Sequence, residues 1–189
     1  SARLNAMTPA QLSSLRTSQV QFLTTDQVKS FGSREISALR VAQIAALSTD
    51  QVVKIETSDA TALSVEQLAG MSSDQVVSLT DAQFVALSAL QIGGLTPLQV
   101  KAIETGDLRA LSSSQISSMR TQQVRGLETS QVAVLLSDQI STLLATQVSA
   151  LSDSQMSALA VSQIESLKTS QVFAIGTAQL SVLNTDQLQ

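Results

Sequence analysis

A register of eight residues runs through the chain without a slip, and it limits the fold more than any other feature. Glutamine stands at 11, 19, 27, 43, 51, 67, 75, 83, 91 and 99 and continues on that register to Gln187. An apolar residue follows each glutamine slot, and Leu, Ile, Met or Phe stands four places after it. The slots from Arg3 to Gln187 number 24, and Gln fills all except Arg3, Glu35, Asp59 and Asp107. A fixed period of this kind means one small unit stacked many times around a continuous core. No position is chemically singular, so the pattern specifies an architecture and not an activity.

The unit reads [S/T]-x-x-Q-[V/I/L]-x-small-L. A continuous helix does not fit, because eight residues at about 100° each rotate the apolar stripe by about 80° per unit. A strand fits no better, since apolar spacings of three and five do not alternate with period two. One short helix per unit does fit. Ser or Thr three places before Gln forms a capping box, with the hydroxyl on one orphan N–H and the Gln amide reaching back to another. The Leu before the cap and the apolar residue after Gln are placed as a hydrophobic staple. Pro9 and Pro97 stand one place after the caps Thr8 and Thr96, where a first helical residue belongs. At the cap slots Arg16, Glu56, Glu104 and Lys168 a Thr follows one place later, so helix starts are expected to shift there by one residue. Helices this short do not survive alone. Packing holds them, and the small residue before Leu lets neighbours approach closely.

A longer rhythm is superposed. Ile fills the Leu slot only at Ile55, Ile103 and Ile175, and Phe31 falls in the same class. Glu fills the cap slot only at Glu56, Glu104 and Glu128, with Gly32 and Gly176 in phase. The acidic replacements Glu35, Asp59 and Asp107 share one phase, and so do Val41, Val65 and Val161 after the cap. Every one of these spacings is a multiple of 24. The expected fold is an all-α solenoid of very short helices, with an 8-residue unit and three units (24 residues) per coil. Residues 1–189 then form a single repeat domain of 24 octads and about eight coils, because each unit contacts only its neighbours. The alternative is a β-solenoid, whose coils would stack at about 4.8 Å. The chain lacks an initiator Met and stops inside a unit at Gln189, so it is expected to be a piece of a longer array.

Composition excludes several function classes. There is no His, Cys, Tyr or Trp, hence no imidazole base, thiolate or ordinary zinc site. Neither a catalytic constellation nor a Gly-rich phosphate loop appears, so no enzyme, cofactor or metal is expected. Eleven basic residues within a net charge of -4 give no broad basic surface for nucleic acid. No apolar run approaches the length of about 18 residues that membrane insertion needs.

The remaining candidates are surfaces. Two places after the slot, taken every 24 residues, the chain reads Lys29, Val53, Val77, Lys101, Arg125, Ser149 and Phe173. This mixed basic and apolar strip is the candidate partner-binding face, for protein or polysaccharide. Leu90 with Leu98, and Leu136 with Leu144, form a second candidate patch unless those linkers tuck inward. The carboxylates Glu56/Asp59 and Glu104/Asp107 are too few for calcium, and Asp59 and Asp107 are expected to cap helices in place of Gln. Lys101 with Glu104, and Arg125 with Glu128, are expected i, i+3 ion pairs. The glutamine column is read as capping in preference to an outward ladder for sugar or another rod. Neither end shows a polar cap, which leaves end-to-end self-association open.

The stretches LeuThrThrAspGlnVal (23–28), LeuSerThrAspGlnVal (47–52) and LeuAsnThrAspGlnLeu (183–188) resemble the L-[ST]-T-x-Q-[VIL] tandem repeats of very large exported or surface proteins of bacteria. The resemblance covers the whole chain. It implies a fibre, stalk or adhesin role outside the cytoplasm, with no catalytic residues to carry over. The expected function is a rigid spacer or scaffold segment of a secreted or cell-surface protein. A binding module using the Lys29–Phe173 face is the alternative.

Overall fold

The computed structural model describes residues 7–189, so the Arg3 slot lies outside the described residues. Two compact units divide the chain, the first ending at Leu95 and the second beginning at Thr96. The first unit holds α1 (Pro9–Ser14), α2 (Thr17–Gln21), α3 (Thr25–Lys29), α4 (Ser33–Ala38), α5 (Val41–Ile44), α6 (Thr49–Val52), α7 (Thr57–Ala60), α8 (Val65–Ala69), α9 (Ser73–Val77), α10 (Asp81–Ala86) and α11 (Ala89–Gly94). The second holds α12 (Pro97–Ala102), α13 (Thr105–Ala110), α14 (Ser113–Ser117), α15 (Thr121–Gly126), α16 (Thr129–Val134) and α17 (Ser137–Thr142). It continues through α18 (Ala145–Val148), α19 (Asp153–Ser157), α20 (Val161–Glu165), α21 (Thr169–Val172) and α22 (Thr177–Ser181) to a 3-10 turn at Asp186–Leu188. No strand occurs among the described residues, so the helical solenoid stands and the β-solenoid does not. None of these helices is long and apolar enough to cross a membrane.

Helix contacts give the coil. In the first unit α1 packs on α4, α2 on α5, α3 on α6, α4 on α7 and α5 on α8. In the second, α12 packs on α15, α13 on α16, α14 on α17 and so on to α19 on α22. Within each unit a helix therefore rests on the third helix along, which makes three octads per coil there. The sequence period of 24 is this step.

The octad explains each helix start. At α6 the Ser48 N–H donates to Gln51 Oε1 at 2.7 Å, and the Gln51 N–H donates to Ser48 Oγ at 3.2 Å. Together these satisfy two N-terminal donors that a short helix cannot pair internally. The Gln half persists where the cap has no hydroxyl: Arg16 N reaches Gln19 Oε1 at 2.9 Å and Lys168 N reaches Gln171 Oε1 at 2.6 Å. This corrects the expected one-residue shift. Arg16, Glu56, Glu104 and Lys168 are themselves the N-caps, and the helices begin at the following Thr. At Arg16 and Lys168 the glutamine oxygen fixes the start, and the hydroxyl is dispensable.

The same amide also works in the other direction. Gln43 Nε2 donates to the carbonyls of Leu12 and Leu15, both at 2.9 Å. Gln75 Nε2 donates to Ile44 at 3.1 Å and Leu47 at 2.6 Å, and Gln139 Nε2 to Leu108 at 3.1 Å and Leu111 at 2.7 Å. The partners lie 31 and 28 residues earlier, at the linker of the preceding coil. One side chain thus closes its own helix start with its oxygen and ties a corner to the corner of the coil before with its nitrogen. From Gln43 on the glutamines are buried, so no outward ladder exists there, whereas Gln11 and Gln19 are exposed.

The core is the paired apolar residues. Val52, Leu68, Val100, Val132 and Val148, one place after the slot, are 0% exposed, and the Leu-slot residues Ile55, Leu79, Ile103 and Leu135 are also buried. The small position before Leu has a specific partner in the first unit. A Cβ placed on Gly70 would lie 2.3 Å from Val41 Cγ1, and one on Gly94 would lie 2.2 Å from Val65 Cγ1. The bulky Val at a helix start occupies the space that glycine leaves one coil later.

Candidate interaction face

Every residue of the predicted strip occupies one geometrical position, the last turn or C-cap of every third helix. Lys29 ends α3, Val53 follows α6 as its C-cap, and Val77 ends α9. Because α3 packs on α6 and α6 on α9, the three positions line up along one face of the first unit. In the second unit Lys101 and Arg125 lie in the last turns of α12 and α15, and Ser149 and Phe173 are the C-caps of α18 and α21. Lys29, Lys101, Arg125 and Ser149 are exposed, Val53 and Val77 half-buried, and Phe173 is 84% exposed.

The strip is grooved. Lys29 and Val53 line an open recess of about 530 Å³ together with Lys54, Glu56 and Thr80. Val77 is not in that lining. Arg125 and Ser149 line a recess of about 420 Å³ with Asp153, Ser152 and Gly176. Each recess is lined by a cation, a carboxylate, hydroxyls and a few apolar residues. That chemistry favours hydrogen bonding to polar or hydroxylated groups.

The cations are not paired as expected. Lys101 Nζ lies 2.7 Å from Glu128 Oε1, one coil and three residues on, and not against Glu104. Sequence reasoning weighed the i, i+3 spacing within a helix and missed that 24 plus 3 brings residues equally close. Arg40 is a second missed cation: its Nη2 donates to the Leu15 carbonyl at 2.8 Å, across the corner.

Among the carboxylates, Glu35 takes the slot's role, its Oε2 accepting from the Gly32 N–H at 3.0 Å. The expectation that Asp59 and Asp107 cap in place of Gln is corrected: α7 and α13 carry no capping box. Aspartate is one methylene too short to reach the cap N–H. Asp59 is buried and accepts instead from Ser33 Oγ at 2.6 Å, a residue of the preceding coil. No cluster of three His, Cys, Asp or Glu suited to a metal ion occurs among the described residues. The acidity of Glu66 is shifted. Its own backbone N–H and then the Ser64 hydroxyl, 2.8 Å away, hold its carboxyl below the usual glutamate range.

The second patch stays outside. Leu90 and Leu98 are 75% and 74% exposed, and Leu136 and Leu144 are exposed N-caps of α17 and α18. Those linkers do not tuck inward. Leu136 lines a recess with Arg109 and Leu144 lines another with Arg120.

No curated protein matches the chain. A family model described as the ALTTAQ repeat matches residues 1–33, 52–89 and 100–137. The octad runs unbroken through all three segments, which together hold more than half of the residues, and the chain belongs to the ALTTAQ repeat family as a structural repeat protein.

Proposed function

We propose that the chain is a rigid spacer or scaffold segment of a secreted or surface protein of a bacterium, with no catalytic role. The observation that supports this reading is the corner tie. An identical Gln amide joins successive coils within each unit, so each added coil meets the previous one in the same geometry. A device whose repeats are interchangeable sets a distance by its repeat number. The export context rests on the resemblance of the repeats alone.

The test is insertion of one and then two 24-residue blocks, with the longest dimension followed by small-angle X-ray scattering. A spacer lengthens by a constant step per block, on the order of 8–10 Å for packed helices. Unequal steps, or no lengthening, would refute the role.

A second reading has its own support, the recesses at Lys29 and Arg125 and the exposed Phe173 ring. On this reading the strip binds protein or polysaccharide. Alanine at Lys101, Arg125 and Phe173 then abolishes binding while leaving helicity intact, and a pure spacer shows no binding to lose.

A further inference from the structure

Inside the first unit the corner carbonyls recur every eight residues, at Leu15, Leu23, Phe31, Leu39, Leu47, Ile55 and Leu63. All but Phe31 accept a Gln amide from the following coil, the donors being Gln43, Gln51, Gln67, Gln75, Gln83 and Gln91 in that order. Over Phe31 the slot residue is Asp59, which has no N–H to give, and no donor among the described residues reaches the Phe31 carbonyl. Asp59 is held instead by one hydroxyl, Ser33 Oγ donating to its Oδ1 at 2.6 Å, although the residue is only 7% exposed. A carboxylate buried with a single donor keeps much of its desolvation penalty, and parting α7 from α4 returns it to water. Parting a tied corner breaks amide–carbonyl bonds and rehydrates only neutral groups. The start of α7 widens the difference. Glu56 caps it without a capping box, whereas Thr80 and Gln83 form the full box at α10, which packs on α7.

We infer that the α4–α7 contact is a built-in release point: among the corners from Leu15 to Leu63 it opens first, while the flanking ties at Gln51 and Gln67 hold. The device is conformational. A load on the first unit yields at one fixed corner, marked by Asp59, and is not shared evenly among equal coils. The inference rests on the corner bonds alone and is independent of the spacer role and of the Lys29–Phe173 face.

Amide hydrogen exchange by NMR on the intact 189-residue chain tests it. The reporters are the Ile36 N–H on the Gly32 carbonyl and the Ala60 N–H on the Glu56 carbonyl, one on each side of the contact. The reference is the Phe84 N–H on the Thr80 carbonyl, beside the tie of Gln83. All three residues are buried. After correction for intrinsic rates, Ile36 and Ala60 are expected to exchange about 5-fold faster than Phe84, the factor that one net hydrogen bond makes. Asp59→Gln supplies both box and tie and brings the two reporters to the Phe84 rate. Asp59→Glu supplies the cap-facing oxygen alone, as Glu35 does at Gly32, and leaves Ile36 fast. Wild-type Ile36 or Ala60 as slow as Phe84 overturns the proposal. So does Asp59→Gln without effect, or Asp59→Glu slowing Ile36 as much as Asp59→Gln does, since the cap and not the tie would then set the rate. If Asp59→Glu loses helicity by circular dichroism, Gln83→Glu replaces it. Removing the tie to Ile55 is expected to make Phe84 exchange as fast as Ala60, and an unchanged Phe84 rate overturns the proposal.

Discussion

Gln155 offers the sharpest probe of the corner tie. Its Oε1 accepts from the Ser152 N–H at 2.8 Å, and its Nε2 donates to the carbonyls of Val124 at 3.0 Å, Arg125 at 3.3 Å and Leu127 at 2.7 Å. The side chain is 2% exposed. Gln155→Glu keeps the shape and the cap-facing oxygen but replaces the donor with an acceptor. The Val124 carbonyl still holds the Leu127 N–H at 3.3 Å, so Leu127 is the carbonyl that is orphaned. Losing that bond and stranding its acceptor costs about 1–3 kcal/mol, and a buried carboxylate facing carbonyl oxygens adds to it, for a total of about 2–5 kcal/mol at neutral pH. Gln155→Met loses both halves and costs about 2–4 kcal/mol. The two variants separate by pH. Burial among carbonyls raises the folded-state pKa of the new carboxyl above its unfolded value of about 4.3. Its protonated form donates an O–H to Leu127, so the stabilisation is present below about pH 4 and is lost as pH rises through the folded value. The Met deficit does not follow that profile. Repeat proteins open locally, so amide hydrogen exchange across α15 to α19 is the assay, with urea unfolding beside it. A Glu variant as protected as wild type at pH 7, or equally impaired at every pH, would refute the donor role.

Four further outcomes are expected. Gly94→Ala is destabilising by about 1–3 kcal/mol through overpacking against Val65, and Val65→Ala in the same chain relieves it, a coupling measured by a double-mutant cycle in urea. Asp59→Gln restores the missing box at α7 and raises urea resistance of that coil by about 1 kcal/mol, despite losing the Ser33 bond. Ser64→Ala moves the Glu66 pKa upward by NMR titration; since the native value is depressed, the Glu66 contribution to stability is present at neutral pH and fades as pH falls through that value. Glu128→Gln, breaking the exposed 2.7 Å pair with Lys101, changes stability by less than about 1 kcal/mol, and the difference vanishes in high salt.

The helix, its cap and the three-per-coil step were legible because each leaves a periodic mark on residue type. Ser48 with Gln51 names a capping box, and Ile55, Ile103 and Ile175 mark one phase of the coil. The inter-coil half of the glutamine was not legible. A capping role already accounts for the residue, and its carbonyl partners, such as Ile44 and Leu47, are backbone atoms that carry no side-chain signature. The Asp59 contact with Ser33 was hidden for a related reason. Side-chain length decides between capping and reaching downward, and only the coil geometry shows what lies below. The strip from Lys29 to Phe173 was readable as a line of positions; the recesses beside it depend on linker paths that the period does not encode.

The indifference of the helix start to its first residue has a consequence for how such chains diversify. Thr8, Arg16, Gly32, Leu136, Ala160 and Lys168 all open a helix from an extended cap, and at each a carboxamide or carboxylate three places on accepts from the cap N–H. Most of these openings face solvent. Mutation can therefore rewrite the outer lettering of each corner, from cation to aliphatic to hydroxyl, while the frame beneath goes on reading the same.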